Sequence, residues 1–236
     1  HYPLRRQRQM CIRDRLLAME LTDYRALLID CDEVLVDRES GIWSALQPLL
    51  AQHKQAPERD EVLGLFRQIA QALAPRFDEL GFGGSLCFAH RQLAQWLGLE
   101  ASWEEGMAFA RSARDWALFE DAPGALLYLR KFYRILICGD RDNADRDALC
   151  ERLGIASEDL FSQASNPLSD PAWLQANDLA LEHLLVVTSA AASPTAPVDL
   201  CLIRRAESAH AQPCPATVCA SSLADLVALH QLSLRG

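Results

Sequence analysis

The chain has 236 residues, half of them hydrophobic, which is enough for one large domain or for a core with an insertion. Its net charge of −9 argues against a nucleic-acid partner, and no apolar run reaches the roughly eighteen residues of a membrane helix. The eight cysteines include no C-x-x-C pair, which disfavours a zinc site or disulfide scaffold and favours a reducing, cytoplasmic location.

The first eighteen residues differ from the rest in composition. They carry five arginines and one aspartate, and residues 10–15 resemble translated adapter sequence. We therefore expect residues 1–18 to be a non-native extension, with Met19 as the natural start. A basic arm that binds nucleic acid is the alternative. Losing five positive charges and one negative charge moves the net charge from −9 to −13, which disfavours nucleic acid further.

A short apolar strand that ends in two carboxylates is the most informative motif. Residues 26–29 are Ala-Leu-Leu-Ile, and Asp30 and Asp32 follow them. A continuously apolar strand is typical of a parallel sheet covered on both faces, and ligands bind at the carboxyl ends of such strands. One carboxylate could attack an electrophile while the other moves a proton. A solvated turn is the structural alternative, because aspartate is common in turns.

Helical periodicity follows this strand, and strands then alternate with helices. Apolar residues at three- and four-residue spacing predict helices at 41–53, 57–73, 84–97 and 102–119. Later strands are expected at 133–138, 184–188, 199–203 and 216–220, before a closing helix at 222–232. This order predicts an α/β fold with a Rossmann-like parallel sheet. We expect its core to comprise residues 19–38 and 117–236, with a helical insertion at 39–116.

This plan resembles the haloacid dehalogenase-like (HAD) superfamily. Residues 24–37 and 41–50 are most similar to the opening strand and first cap helix of its type II 2-haloacid dehalogenase-like group. Residues 119–124 are similar to the return from cap to core. The resemblance implies that the insertion is a helical cap of the C1 type and that the partner is a small-molecule substrate. By the same resemblance, the protein could form a homodimer.

The resemblance assigns roles to the two carboxylates of the first motif. Asp30 would be the nucleophile that forms a covalent aspartyl intermediate, and Asp32 would be the general acid/base of phosphate-handling members. Both are candidate Mg²⁺ ligands by the same resemblance. Glu33 stands where the family usually has glycine, so a side chain is expected at a tight turn.

The second and third motifs of the family are degenerate here. The serine or threonine of the second motif aligns with Gly139, or with Cys138 if the register slips by one. The chain has only two lysines, Lys54 and Lys131, so the third motif lacks its lysine. The residue that aligns with that lysine is either Asp170, before Pro171, or Asn166, before Pro167.

The fourth motif lacks its metal-binding acids. No Asp or Glu occurs between Glu182 and Asp199. Thr188-Ser189 stands there instead and resembles the serine pair of metal-free dehalogenases. The residues expected to bind substrate are therefore Gly139, Asp140, Thr188 and Ser189.

The loop after the second core strand has two interpretations. Asp140 and Asp142 could supply carboxylates for a metal, and Arg141 could supply positive charge beside Asp30. Alternatively, Asp142 or Asn143 caps the following helix, in line with the N-cap preference of these residue types.

Two functions follow from these motifs. One is a HAD-like hydrolase of weak activity that acts on a small acid or a phosphate ester through an aspartyl intermediate. The other is a catalytically inactive HAD-fold protein with a binding or structural role. Without lysine and Mg²⁺, an aspartate that attacks phosphate faces repulsion, and the rate falls roughly tenfold for every 1.4 kcal/mol of lost stabilisation.

Overall fold

The computed structural model describes residues 20–53, 57–190, 197–205 and 216–235. The predicted N-terminal extension, the expected start at Met19 and the side chain of Lys54 lie outside these ranges. Within the described ranges, no helix combines the length and the apolar character needed to cross a membrane.

A single parallel sheet of six strands organises the described part of the chain, in the order β3–β2–β1–β4–β5–β6. The strands are β1 (Ala26–Asp30), β2 (Arg134–Cys138), β3 (Leu160–Phe161), β4 (Leu184–Thr188), β5 (Asp199–Ile203) and β6 (Val218–Ala220). This confirms the predicted α/β fold. β1 pairs with β2 on one side and β4 on the other, so the strand order reverses at β1 and β4, where open sheets bind ligands.

Alternate residues of β1 pack into two separate cores. Leu27 and Ile29 belong to the larger core, whereas Leu28 belongs to a smaller core. Burial on both faces explains why the strand sequence is continuously apolar. The helices that supply these cores are α1 (Arg38–Leu50), α2 (Arg59–Leu73), α3 (Phe77–Trp96), α4 (Trp103–Arg111), α5 (Ala122–Leu129), α6 (Asn143–Leu153), α7 (Pro171–Ala176) and α8 (Leu223–Ser233).

The helices predicted between the first two core strands are present, but their ends differ from the prediction. α3 spans Phe77–Trp96, but its helical geometry is interrupted by a kink at Gly81, and the part after this kink corresponds to the helix predicted from 84. Gly81 has φ +67°, a left-handed conformation that glycine adopts without steric cost. α4 ends at Arg111 and continues as a 3₁₀ turn, Ser112–Asp115. That residues 39–116 act as a cap stays a prediction.

Glycine permits a close contact between α1 and the end of this helical block. A Cβ atom on Gly41 would overlap the indole ring of Trp116, which is buried. A Cβ atom on Gly64 in α2 would meet no atom nearer than Arg67 at 4.0 Å. The two helical glycines therefore differ in packing although they share the same low helix propensity.

We predict opposite effects of alanine at these two positions. Gly41→Ala should lower the free energy of unfolding by about 1–3 kcal/mol, because the added methyl group overpacks against Trp116. Gly64→Ala should raise it by about 0.5–1 kcal/mol, because alanine favours the helix and the space is open. Urea unfolding of both variants measures the difference, and effects of the same sign would contradict the described packing.

Candidate active site

A cavity of about 360 Å³ opens at the carboxyl ends of the central strands. Its apolar wall comes from the helical block and includes Leu73, Phe77, Phe82 and Leu86. Its polar wall comes from the strand ends and includes Asp30, Asp32, Gly139, Asp140 and Ser189. Thr188, the other residue expected at the site, is buried at the end of β4 and hydrogen-bonds to Asp30. The structure thus brings the sequence-predicted residues together.

Asp30 lies at the last position of β1, in contact with neighbouring strand ends. Burial raises the pKa of Asp30, and the charge of Asp32 raises it further. Hydrogen bonds to Thr188 and Gln163 act in the opposite direction. Among the described residues, the arginines near the cavity form ion pairs with Asp32 and not with Asp30. The Asp30 carboxyl group is therefore held by neutral side chains.

Asp32 is paired with two arginines. Nη2 of Arg141 donates to Oδ1 at 2.5 Å, and Nη1 lies 3.5 Å from Oδ2. Nε of Arg38 lies 3.8 Å from the same Oδ2. Two-point contacts between guanidinium and carboxylate fix orientation as well as adding energy. In this geometry the side chain of Asp32, expected to move a proton, serves as an ion-pair partner.

Arg141 is almost completely enclosed, with 2% of its side chain exposed. Its guanidinium carbon lies 4.7 Å from the ring centroid of Phe82 and 5.8 Å from that of Trp116. Nη1 also donates to the carbonyl of Asp140 at 2.6 Å. The positive charge of Arg141 therefore faces Asp32, and Arg141 itself does not line the cavity.

Position 139 requires a glycine for steric reasons, and this residue brings no hydroxyl group to the site. A Cβ atom at this position would lie 2.5 Å from the Cβ of Cys31, in the turn that carries Asp32. The backbone N–H of Gly139 donates to the carbonyl of Phe161 at 2.9 Å. The ends of β1 and β2 approach so closely here that a side chain at position 139, such as that of serine or threonine, would overlap Cys31.

Asp142 has a different partner from the one that the sequence indicated. It stands at the N-cap position of α6, yet its side chain makes no capping hydrogen bond there. Its carboxylate accepts from the backbone N–H groups of Phe82 and Gly83, at 3.1 and 2.8 Å. The expected cap of the following helix is wrong, because the bend at Gly81 exposes N–H groups of α3 next to this carboxylate.

The residues aligned with the missing lysine cap short helices instead. Oδ1 of Asn166 accepts from the N–H of Leu168 at 3.0 Å, and Oδ1 of Asp170 accepts from the N–H of Trp173 at 2.9 Å. Neither residue lines the cavity. Lys131 is exposed and also lies outside the cavity lining. Arginine therefore supplies the positive charge in the described part of the site.

The carboxylates of the site do not fit Mg²⁺. Of the aspartates that line the cavity, Asp32 is engaged by arginines, and Asp140 accepts from the N–H of Gln163 at 3.1 Å. Thr188-Ser189 stands where acids would be required. No group of three His, Cys, Asp or Glu side chains suited to a metal ion occurs in the described ranges. The guanidinium groups beside Asp32 would also repel a cation.

Glu33 occupies the tight turn after the first motif, as expected from its alignment with glycine. Its φ is +63°, which costs a residue with a side chain roughly 1–2 kcal/mol. Oε1 accepts from the N–H of Glu39 at 2.9 Å, and the side chain lines the cavity. Burial raises the pKa of Glu33 to about 7, and the charges of Glu39 and Asp37 add to this rise.

Comparison with known proteins shows the fold. No family model matches the sequence, and no curated protein matches it. The L-2-haloacid dehalogenase from Xanthobacter autotrophicus with chloropropionic acid covalently bound is similar at a TM-score of 0.67 and 13% identity, over 90% of this chain and 99% of that one. The L-2-haloacid dehalogenase RSc1362 is similar at a TM-score of 0.68 and 16% identity, over 88% and 99%.

A magnesium-bound protein is also among the similar structures. The HAD-hydrolase YfnB from Bacillus subtilis, described as putative in function and bound to magnesium, aligns at a TM-score of 0.60 and 17% identity, over 88% of this chain and 98% of that one. These likenesses show that the chain has the haloacid dehalogenase-like fold, as its sequence resemblance indicated. Its structural neighbours include haloacid dehalogenases and other HAD-fold hydrolases.

We predict that Glu33 makes stability depend on pH. Its pKa is 4.5 in the absence of the fold and about 7 within it, so the folded chain binds more protons between these values. Stability should therefore fall as pH rises through this window. Glu33→Gln should gain on the order of 1 kcal/mol relative to wild type between about pH 5 and pH 8, a value reduced by solvent screening.

Urea unfolding of wild type and Glu33→Gln at several pH values tests this prediction. Glutamine keeps the acceptor for the N–H of Glu39, so the comparison isolates the charge. Glu61→Gln, at an exposed position of α2, is the control variant. A Glu33→Gln difference that stays constant with pH would contradict the proposed cost of the buried charge.

Proposed function

We propose that this chain is a HAD-type hydrolase that uses Asp30 as a nucleophile and works without a metal ion. The supporting observation is the position of the Asp30 carboxyl group, which lines a 360 Å³ cavity at the switch point of a haloacid dehalogenase-like fold. The proposed substrate is a small acid or a phosphate ester. The helical block from α1 to α4 would act as the cap that encloses it.

The reaction proceeds in two steps. An Asp30 carboxylate oxygen attacks the electrophilic carbon or phosphorus, and the leaving group departs with the bonding electrons. Water then attacks the resulting ester or acyl phosphate, which restores the carboxylate and releases one proton. Arg38, which lines the cavity, offsets negative charge, and Asp32 holds this guanidinium together with that of the enclosed Arg141. Proton transfer by Asp32 would require this ion pair to open.

A second candidate function is binding without turnover. Its support is the same Asp32–Arg141 pair, because a carboxylate engaged at 2.5 Å by a buried guanidinium is poorly placed to exchange a proton with substrate. Gly139 also brings no hydroxyl group to the anion site. In this case the cavity would hold a small molecule that the protein does not convert.

The cysteines support the proposed cytoplasmic location. Those in the described part of the chain are free thiols, and most of them are buried. A reducing compartment suits such residues, since buried thiols pack as small hydrophobic groups. The homodimer that the resemblance leaves open stays a prediction.

Loss of the proposed nucleophile should remove turnover. We expect Asp30→Asn to lower hydrolysis of 2-haloacids or phosphate esters by at least about a hundredfold, because the amide oxygen is a weak nucleophile. Wild type should be equally active with Mg²⁺ and with EDTA. Asp60→Asn, on an exposed position of α2, is the matched control and should keep wild-type activity.

Three outcomes would count against the proposal in different ways. Equal background from wild type and Asp30→Asn would reject the hydrolase and favour the binding function. Activity that appears only with Mg²⁺ would reject the metal-free mechanism. Equal loss in Asp30→Asn and Asp60→Asn would show that the loss does not depend on the nucleophile.

A further inference from the structure

A second cavity lies next to the candidate active site. It has a volume of about 390 Å³ and is bounded by α1 and α2. Its apolar surface comes from Ile42, Leu63 and Phe66. The mouth carries an exposed ion pair between Glu39 and Arg67, with Nη1 and Oε1 2.7 Å apart. Each cavity alone is within the range of roughly 300–1,000 Å³ that is typical of drug-sized ligands.

The two cavities meet at a shared wall. Glu33, Arg38, Ala70 and Ala74 line both of them. Two of these four residues are alanines, whose side chains are single methyl groups. The side chain of Arg38 is 32% exposed, and a long side chain at such a position can change its rotamer without disturbing a packed core. A chain-like ligand could therefore extend from one cavity into the other.

Arg38 is the cationic residue that lines this junction. Its Nε is buried without a hydrogen-bond partner in the described part of the chain. The nearest carboxylate oxygen, Oδ2 of Asp32, lies 3.8 Å away, which is too long for a hydrogen bond. Arg141 supplies the stronger contact to Asp32, so the Arg38 guanidinium retains capacity for a ligand. A carboxylate is the group that a guanidinium binds best with two parallel hydrogen bonds.

The charges around the junction set a limit on the ligand. Asp30, Asp32, Glu33 and Asp140 line the first cavity together with Arg38, whereas Arg141 is enclosed behind Asp32. A dianionic phosphate would meet these carboxyl groups with only one exposed guanidinium to offset it. A monocarboxylate brings half the charge of a dianionic phosphate, so it is repelled less by these carboxyl groups while it still binds the guanidinium of Arg38. The Glu33 carboxyl group is already engaged by the N–H of Glu39.

We infer that the site takes a monocarboxylate with an apolar chain, bound by Arg38 at the junction, with the chain extending into the second cavity. The inference deepens the proposed function and relies on it only for the location of the site. It predicts a ligand longer than a two- or three-carbon acid. It also assigns the specificity for chain length to the space beside Ala70.

Binding of saturated fatty acids tests this inference without turnover. Acetate, butyrate, hexanoate and octanoate carry no leaving group, so calorimetric titration reports affinity alone. Affinity should rise up to about fourfold for each added methylene until both cavities are filled. Hexanoate should bind more tightly than hexyl phosphate or hexan-1-ol. Asp30→Asn should bind hexanoate at least as well as wild type.

Three variants test the charge of Arg38 separately from the space beside Ala70. Arg38→Met should weaken hexanoate binding at least tenfold, whereas Arg59→Met, at an exposed arginine of α2 whose Nη2 donates to Oγ of Ser40, should leave it unchanged. Ala70→Leu should remove the gain with chain length but keep acetate binding. Ala70→Leu changes the size of the junction and not its charge, so it tests the inference even if Arg38→Met does not fold.

The results that would overturn this inference differ from those that would overturn the hydrolase. Affinity independent of chain length, or tighter binding of hexyl phosphate, rejects the monocarboxylate site whatever the turnover assays show. Equal affinity for hexanol and hexanoate rejects the role of Arg38. Affinity that rises with chain length, together with turnover that is the same in Asp30→Asn and wild type, would support the monocarboxylate site and reject the hydrolase.

Discussion

The buried ion pair between Asp32 and Arg141 is the contact on which the site depends. It joins the turn after β1 to the loop after β2, and it holds a guanidinium group that is 2% exposed between two aromatic rings of the helical block. An uncompensated guanidinium at this depth would cost several kcal/mol, so Arg141 requires Asp32, whose own side chain is 24% exposed and also faces Arg38. The pair thereby fixes three parts of the chain against one another.

The loop from Gly139 to Asp142 is tied to its surroundings by a contact at each of its four positions. Gly139 allows the close approach of Cys31, Asp140 accepts from the N–H of Gln163 at 3.1 Å, and Arg141 binds Asp32. Asp142 reaches the bend of α3. Where the family's motif uses a hydroxyl group toward the bound anion, this loop uses its side chains to connect the sheet to the helical block.

The sequence predicted the sheet and the position of the candidate site, because apolar strands and the residues that end them are local features. Asp30 and Asp32 follow their strand directly, and Glu33 occupies the expected tight turn. The partners of Arg141 and Asp142 could not be predicted in the same way. Phe82 is some sixty positions from Asp142 in the chain, and their contact depends on a helix bend at Gly81 that appears in the sequence only as a cluster of glycines.

A double-mutant cycle on Asp32 and Arg141 tests this account most directly. Asp32→Asn, Arg141→Met and the double variant are compared with wild type by urea unfolding. We expect Asp32→Asn to lose about 3–5 kcal/mol, because it leaves the enclosed Arg141 guanidinium unpaired, and Arg141→Met to lose less, because Asp32 is 24% exposed and keeps Arg38. The double variant should lose much less than the sum of the two, with a coupling energy of about 2 kcal/mol or more. Single effects that add within about 0.5 kcal/mol would show that the two residues are not coupled, and would contradict the central role of the pair.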